Sequence, residues 1–258
     1  MSLSSVAVQQ AAQELAHRRR AGLHGPALEA TCRPQSLSDA LAIQDAVSHH
    51  MGDDVGGWKC GMPAEDRIVV APIYQRTIHA VADCPVWASE GAVQVEPELA
   101  FVFGQDLPQW DRPFEVADLP RLIAEVRLAL ELIDSRYDDG ADLTFTDRLA
   151  DGLVNQGLWL GPSIPWSEAC KASRFEVQWG AVEQNAVTLS GRHPNDDPLA
   201  PLLWLVNHFR QVGRQIRAGQ AVITGSYAGS FPCPVGPELT FRLGAWPAFS
   251  LRFHARSR

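Results

Sequence analysis

The apolar positions of the chain recur with two periods, and each period predicts a type of element. Spacings of three and four residues predict four helices. The first covers about 6–20, the second runs from its N-cap Ser38 to the residue before Gly52, the third begins at about Val116, and the fourth covers 199–212. Short apolar runs between Gly and Pro predict strands at 56–61, 68–74, 77–87, 158–161, 175–179, 186–189, 221–226, 238–243 and 248–254. The stretch 127–135 fits a helix or a strand, because periodicity does not decide short apolar runs.

Taken together, these elements predict a mixed α/β fold that is rich in β-structure, with helices at its periphery. We expect a single domain over residues 1–258. A helical segment would occupy about 1–55 and a β-rich core 56–258.

The segment VEPELAFVFG at 95–104 carries two carboxylates two residues apart in a strand-like run. Side chains alternate between the faces of a strand, so Glu96 and Glu98 share one face, which continues as Ala100 and Val102. The opposite face is apolar, at Val95, Leu99, Phe101 and Phe103. Two carboxylates that enter the interior side by side require a cation, and a divalent ion with oxygen ligands fits them. A strand whose polar face merely begins with two surface glutamates explains the pattern equally well.

Composition narrows the class of protein. Lys and Arg number 22 against 30 Asp and Glu, and the formal net charge of −8 argues against a nucleic-acid partner. The basic cluster at 18–20 is interpreted as cations at a helix end. The 5 cysteines show no zinc-ligand spacing and suggest reduced thiols. No signal peptide or apolar run of membrane-spanning length is present, so we expect a cytoplasmic protein with no membrane partner.

Three motifs follow one another along the chain: GWKCG at 57–61, EPELAFV at 96–102 and ALELIDSR at 129–136. In this order the chain resembles the fumarylacetoacetase superfamily, and within it the branch of 2-oxopent-4-enoate hydratases and 4-oxalocrotonate decarboxylases. The resemblance continues at 147–151, 158–161, 193–194, 202–208 and 219–226, and so covers roughly residues 40–254. It implies a fumarylacetoacetase-like mixed β-roll, commonly assembled as an oligomer.

The resemblance also implies a set of site residues. Glu96, Glu98 and Glu131 would coordinate Mg²⁺ or Mn²⁺, and Lys59 would be the catalytic lysine. The substrate pocket would be lined by a turn of three residues: Thr224, Gly225 and Ser226.

Four positions in or beside these motifs have a functional interpretation, a structural interpretation or both. Gly61 allows the close backbone approach that a substrate site needs. Asp151 would orient Lys59 or a water, although an aspartate before a glycine is typical of turns. Cys60 should face away from Lys59 as a buried thiol. His193, before a proline, is interpreted as the start of a loop.

The chain also departs from the family pattern. Relatives carry a Pro-Asp-Tyr/Phe motif after the lysine strand, whereas APIYQ at 71–75 has no acid. Relatives carry Ala-Asp-Asn-Ala-Ser where this chain has ADGLV at 150–154, without the amide and the hydroxyl. Asn155 and Gln156 are candidates to replace these polar groups. The departures affect proton transfer more than metal binding.

The activity that we expect is that of a metal-dependent lyase. It would hydrate substrates of the 2-hydroxypenta-2,4-dienoate type to 4-hydroxy-2-oxo acids in the degradation of aromatic compounds. One alternative is a decarboxylase of 2-oxo-enedioates such as 4-oxalocrotonate. Others are an acylpyruvate hydrolase, for which no water-activating His/Glu pair is evident, and a catalytically degenerate binding or structural subunit. The expected partners are a small 2-oxo acid and further copies of the chain, or a complex with a related decarboxylase or hydratase.

Overall fold

The computed structural model describes residues 2–181 and 186–257. The helices of this part of the chain are α1 (Ser5–Ala21), α2 (Leu37–Met51), α3 (Leu119–Leu122), α4 (Phe145–Ala150), α5 (Trp166–Ala169) and α6 (Leu199–Val212). Its strands are β1 (Val55–Cys60), β2 (Val70–Tyr74), β3 (Ile78–His79), β4 (Asp83–Val86), β5 (Ala92–Phe103), β6 (Ile123–Ile133), β7 (Asn155–Ile164), β8 (Arg174–Ala181), β9 (Val187–Arg192), β10 (Ala221–Ile223), β11 (Phe231–Pro234), β12 (Glu238–Leu243) and β13 (Phe249–Ala255). None of these helices has the length and apolarity needed to span a bilayer.

The strands form two sheets. One has the order β2-β1-β10-β5-β6-β7-β3, with β11 also paired to β5, and the other has the order β4-β13-β12-β8-β9. The longest strands, β5 and β6, are antiparallel neighbours at the centre of the first sheet. Cα atoms of β2 and β7 approach within 8 Å, so the first sheet curls into a roll. This arrangement confirms the predicted β-rich α/β fold.

The two faces of β5 and β6 are filled differently. The outer face carries large buried residues, among them Leu99, Phe101 and Phe103, and belongs to the main core with the second sheet and α6. Each large side chain buried there contributes roughly 1.5–3 kcal/mol to stability. The inner face of the roll is lined by small or branched residues, including Ala100 and Ala129. The predicted division of β5 into two faces is therefore confirmed.

One side of β5 has an interruption in its pairing. β10 pairs with residues 100–102 and β11 with residues 92–95 on the same side, which leaves the stretch between them without a strand partner. Pro97 lies in this stretch, and its carbonyl accepts a hydrogen bond from Tyr227 N at 2.9 Å. Proline has no N–H to donate, and no strand pairs with this edge of β5 at Pro97, so the sheet loses no backbone hydrogen bond here. The interruption admits the turn that follows β10.

The N-terminal helices pack on each other and on α4 around their own apolar cluster, which includes Leu15, Ile43 and Val47. α1 ends at Ala21, as the basic cluster at its end predicts, and Gly22 closes it with φ 64°. Arg18 and Arg19 of this cluster are nevertheless buried. Their role therefore extends beyond a charge at a helix end.

Two predicted helix starts are wrong. Ser36 rather than Ser38 caps α2, because its Oγ accepts from Asp39 N. The helix predicted from Val116 is a 3-10 turn at Val116–Asp118 followed by the single turn of α3, and β6 begins at Ile123. The apolar run that follows pairs with β5 and β7 along its length, which decides the ambiguous stretch 127–135 in favour of a strand.

Candidate metal centre

Three carboxylates meet on the inner face of the roll. Glu96 and Glu98 project from the same face of β5, and Glu131 of β6 lies directly opposite Glu96 in the antiparallel register. One oxygen from each lies within 4.8 Å of the others. Glu98 and Glu131 are 2% and 0% exposed, and Glu96 is partly buried. The i, i+2 spacing predicted from the sequence and the cross-strand pairing together create the cluster.

The electrostatics of the cluster call for a cation. Burial, together with repulsion from Glu131 and Glu96, raises the pKa of Glu98 well above its usual range. Burial and the same Glu131 carboxylate raise the pKa of Glu96. Glu131 Oε2 is buried and has no hydrogen-bond partner among the described residues. Three acidic oxygen donors with one unsatisfied oxygen fit a hard divalent cation.

Lys59 is the cation that the structure places beside this cluster. Its Nζ lies 2.7 Å from Glu131 Oε1 and donates to the carbonyl of Leu153 at 3.2 Å. Burial opposes its charge, but the carboxylates of Glu131 and Glu96 outweigh burial and raise the pKa of Lys59. Cys60, next along β1, points to the other face and donates to Pro201 O, as predicted. Burial also raises the pKa of this thiol, so it is inert.

The predicted turn at 224–226 reaches the cluster through its backbone. Gly225 N donates to Glu98 Oε2 at 2.7 Å, and its φ of 137° favours glycine. The Thr224 side chain is buried and faces His193, whereas Ser226 Oγ donates to Gly229 O. Gly225 is therefore the member of the turn that touches a carboxylate of the cluster.

His193 bonds to the backbone of this turn, a contact that the sequence did not predict. The ring is fully buried; Nδ1 accepts from Asn195 N, which leaves Nε2–H to donate to Thr224 O at 3.2 Å. Burial lowers the pKa of His193, consistent with a neutral imidazole. A histidine before a proline gave only a loop signal, since its partner lies 31 residues away.

Of the two candidate replacements for the missing polar groups, Asn155 lies at the cluster. Asn155 Nδ2 donates to Glu131 Oε1 at 2.8 Å and to Gly157 O, which fixes the orientation of the amide. Asn155 Oδ1 is buried without a hydrogen-bond partner in the described chain. Gln156 instead bonds to the backbone of Trp87 and so ties β7 to the end of β4.

Asp151 and Gly61 occupy different surroundings. The Asp151 carboxylate accepts from Arg136 Nε at 2.6 Å, and the contacts described for it do not include Lys59. Its catalytic role stays a prediction. Gly61 follows Lys59 by two residues and donates its N–H to Val69 O. A Cβ at Gly61 would lie 3.2 Å from the Val69 side chain, so close packing against Val69 favours a glycine here, and its substrate role also stays a prediction.

Comparison with known proteins points in one direction. No family model matches the chain. The TodF product hydratase of Pseudomonas putida is 31% identical over 164 residues, which cover 62% of this chain and 59% of the relative. The 2-keto-4-pentenoate hydratase of Paraburkholderia xenovorans is 24% identical over 230 residues, 84% of each chain. The chain thus spans about three fifths of the first relative's length.

Solved structures share the fold. The 4-oxalocrotonate decarboxylase from Pseudomonas putida G7, complexed with magnesium and adipate, superposes with a TM-score of 0.80. The match covers 98% of this chain and 100% of that chain at 18% identity. The yeast fumarylacetoacetate hydrolase family protein ynq8 matches with a TM-score of 0.50 over 78% of this chain and 93% of that chain, at 13% identity.

Proposed function

We propose that the chain, which resembles the fumarylacetoacetase superfamily in its motifs and in its fold, is a divalent-metal-dependent lyase acting on 2-oxo and 2-hydroxy-dienoate acids. The preferred reaction is hydration of a 2-hydroxypenta-2,4-dienoate-type substrate to a 4-hydroxy-2-oxo acid. The observation that carries the proposal is the convergence of three carboxylates beside one buried lysine. The names of the curated relatives, which are hydratases, support the choice of reaction.

Glu96, Glu98 and Glu131 would hold the ion, which we propose to be Mg²⁺ or Mn²⁺; a magnesium complex of a protein with this fold supports the first. When bound, the ion supplies a Lewis acid for the carboxylate and the 2-oxygen of the substrate. With Lys59 charged, the charges of the three carboxylates and the lysine sum to −2, which one divalent cation would balance before the lysine loses its proton.

Lys59 is proposed to move the substrate proton. In the metal-free protein, the carboxylates oppose burial and keep the lysine charged. Once those carboxylates are engaged by a cation, burial, the largest influence on Lys59, favours the neutral amine. The amine then takes the proton of the 2-hydroxyl and delivers it to C5, which returns the amine to its neutral form and leaves a 2-oxo-3-enoate. Water adds its oxygen to C4 and a proton to C3, so that the 4-hydroxy-2-oxo acid is formed.

Asn155 is proposed to orient that water. Its Oδ1 is a buried acceptor that no described group of the chain satisfies, and its Nδ2 is anchored on Glu131. A water or substrate hydroxyl that donates to Oδ1 would remove this deficit. In this proposal Asn155 supplies a polar group that the segment 150–154 lacks.

Decarboxylation of a 2-oxo-enedioate is the second candidate, supported by the match in fold to 4-oxalocrotonate decarboxylase over 98% of this chain and 100% of that chain. The purified protein with Mg²⁺ is incubated separately with 2-hydroxypenta-2,4-dienoate and with 4-oxalocrotonate. Loss of dienoate absorbance without CO₂ release supports the hydratase, and loss of absorbance with CO₂ release from 4-oxalocrotonate supports the decarboxylase. Binding of oxalate and Mg²⁺ without turnover of either compound would instead indicate a degenerate binding subunit.

The setting of the protein is part of the proposal. We expect a small 2-oxo acid from aromatic-compound degradation as the substrate, a cytoplasmic location and a homo-oligomer, or a complex with a related decarboxylase or hydratase. The hydratase relatives support the substrate class. Light scattering of the purified chain tests the oligomer.

A further inference from the structure

A strained backbone segment supplies one of the two polar contacts that Lys59 Nζ makes with the described residues. Gly152, Leu153 and Val154 all have positive φ, at 77°, 53° and 58°. Leucine and especially the β-branched valine disfavour this conformation, which persists only where the surroundings impose it. The carbonyl of Leu153, in the middle of the segment, accepts from Lys59 Nζ. The surroundings that impose this conformation therefore also place an acceptor for the lysine.

Arg19 of α1 holds both ends of this left-handed segment, residues 152–154. Its Nη2 donates to the carbonyl of Asp151 and its Nη1 to that of Asn155, each at 2.6 Å. These carbonyls flank the segment, so a single planar guanidinium fixes the distance between its ends. An ideal Cβ at Gly152 would lie 3.0 Å from Arg19 Nη2, so a side chain there would crowd the guanidinium.

Arg19 is itself held in place by its neighbours. Arg19 is 7% exposed, and Arg136 Nη2 donates to the same Asp151 carbonyl at 3.0 Å. Trp87 Nε1 donates to the Arg19 carbonyl, and Arg18 Nη1 donates to the Arg136 carbonyl. Burial, with the charge of Arg136, lowers the pKa of Arg19 to about 10, so the guanidinium remains charged at neutral pH.

We propose that Arg19 is a positioning residue for Lys59: by bonding the carbonyls on both sides of the left-handed segment, it aims the Leu153 carbonyl at the lysine amine. The proposal rests on the role of Lys59 in the proposed function. It makes the N-terminal helix part of the active-site scaffold. Arg19 contacts neither the three glutamates nor Lys59 in the described contacts, so its effect would be on amine geometry rather than on metal binding.

The experiment uses the low lysine content of the chain. Lys59 and Lys171 are the two lysines of the sequence, and Lys171 is exposed. In protein labelled with ¹³C-lysine, the Cε signal of Lys59 reports its geometry and that of Lys171 serves as internal reference. The variants are Arg19→Gln, Arg19→Lys and the matched control Arg20→Gln, since Arg20 bonds to His50 O at the surface.

We expect Arg19→Gln to shift the Lys59 signal but not that of Lys171, and to lower kcat about 10- to 100-fold. The KM and the Mg²⁺ Kd should stay within about threefold, Arg19→Lys should restore part of kcat, and Arg20→Gln should match the wild type. A folded Arg19→Gln protein with the Lys59 signal and kcat of Arg20→Gln would overturn the proposal. So would a parallel loss of kcat, metal affinity and thermal stability, which indicates a structural role alone.

A second variant covers the case in which Arg19→Gln does not fold. Gly152→Ala keeps the arginine but strains the first residue of the left-handed segment, at φ 77°, and places a Cβ 3.0 Å from Arg19 Nη2, so we expect it to shift the Lys59 signal. A folded Gly152→Ala protein with an unchanged Lys59 signal refutes the proposal. If the wild type turns over no dienoate, the proposed function fails. The lysine signal still decides the role of Arg19 in that case.

Discussion

Glu98→Gln is expected to make the metal-free protein more stable while it removes metal binding. Glu98 is 2% exposed and accepts from Gly225 N, a bond that the amide oxygen of glutamine can retain. The substitution therefore removes one charge with little change of shape. The wild-type carboxylate would bind the ion, but it lowers the stability of the metal-free protein.

The magnitude follows from the separations in the cluster. Two carboxylate charges 4.8 Å apart, the upper limit for the paired oxygens here, repel by roughly 3.5 kcal/mol at an effective dielectric constant of about 20. Glu98 has two such neighbours, and attraction to Lys59 offsets part of the repulsion. We expect a net gain of roughly 1–3 kcal/mol in the free energy of unfolding of the metal-free variant at pH 8.

The gain should depend on pH in a defined direction. The pKa of Glu98 in the folded state lies above its unfolded value, so the folded state binds a proton that the unfolded chain releases. The wild-type contribution from this group is therefore fully present below the unfolded pKa, near 4.5, and is lost as the pH rises through the folded pKa. The variant has no such loss, and its advantage should grow from pH 5 to pH 8.

Urea unfolding followed by tryptophan fluorescence tests both expectations. Wild type, Glu98→Gln and the exposed-site control Glu65→Gln are compared at pH 5 and pH 8, in EDTA and in Mg²⁺. We expect Mg²⁺ to stabilise the wild type and the control but not Glu98→Gln. A variant less stable than the wild type in EDTA at pH 8, or an advantage that does not grow with pH, would refute the reasoning.

Three further predictions concern the same site. Lys59→Met should lower kcat about 10²- to 10⁴-fold in steady-state assays while calorimetry still detects Mg²⁺ binding, and Lys59→Arg should not restore activity; a fully active Lys59→Met would contradict the proposed base. Asn155→Ala should lower kcat about tenfold, and unchanged kinetics would exclude Asn155 as the water ligand. Gly225→Ala should destabilise the protein by roughly 1–3 kcal/mol in urea, because its φ of 137° strains any side chain and the Cβ would lie 3.2 Å from Pro194; unchanged stability would argue against this.

The sequence predicted the parts of the site that depend on local geometry. Alternation along one strand was enough to place Glu96 and Glu98 on one face, opposite the apolar residues of the core. Glu131 could be added only through the family resemblance, because its place opposite Glu96 depends on a register between strands. Lys59 entered in the same way, since β1 reaches the cluster through β10.

The remaining contacts depend on partners distant in sequence. Nothing near Asp151 indicates that Arg136 and Arg19 will bond to it, and nothing near His193 points to Thr224. Ser36 and Ser38 both precede the apolar run of α2, and only the backbone conformation shows that Ser36 is the N-cap. Propensity likewise could not show that the run beginning at Ile123 pairs with β5.

Pro97 has a consequence for how this protein can diversify. Because β10 and β11 end on either side of Pro97, this edge of β5 is contacted there by the turn at Tyr227 and not by a continuous strand. The register of Glu96 and Glu98 is set by β6 on the opposite edge, so beyond Gly225, whose N–H bonds to Glu98, the chain that enters the opening can lengthen or change composition without altering that register. Under the proposed function, selectivity for the far end of a substrate could then evolve at this opening while the three carboxylates stay unchanged.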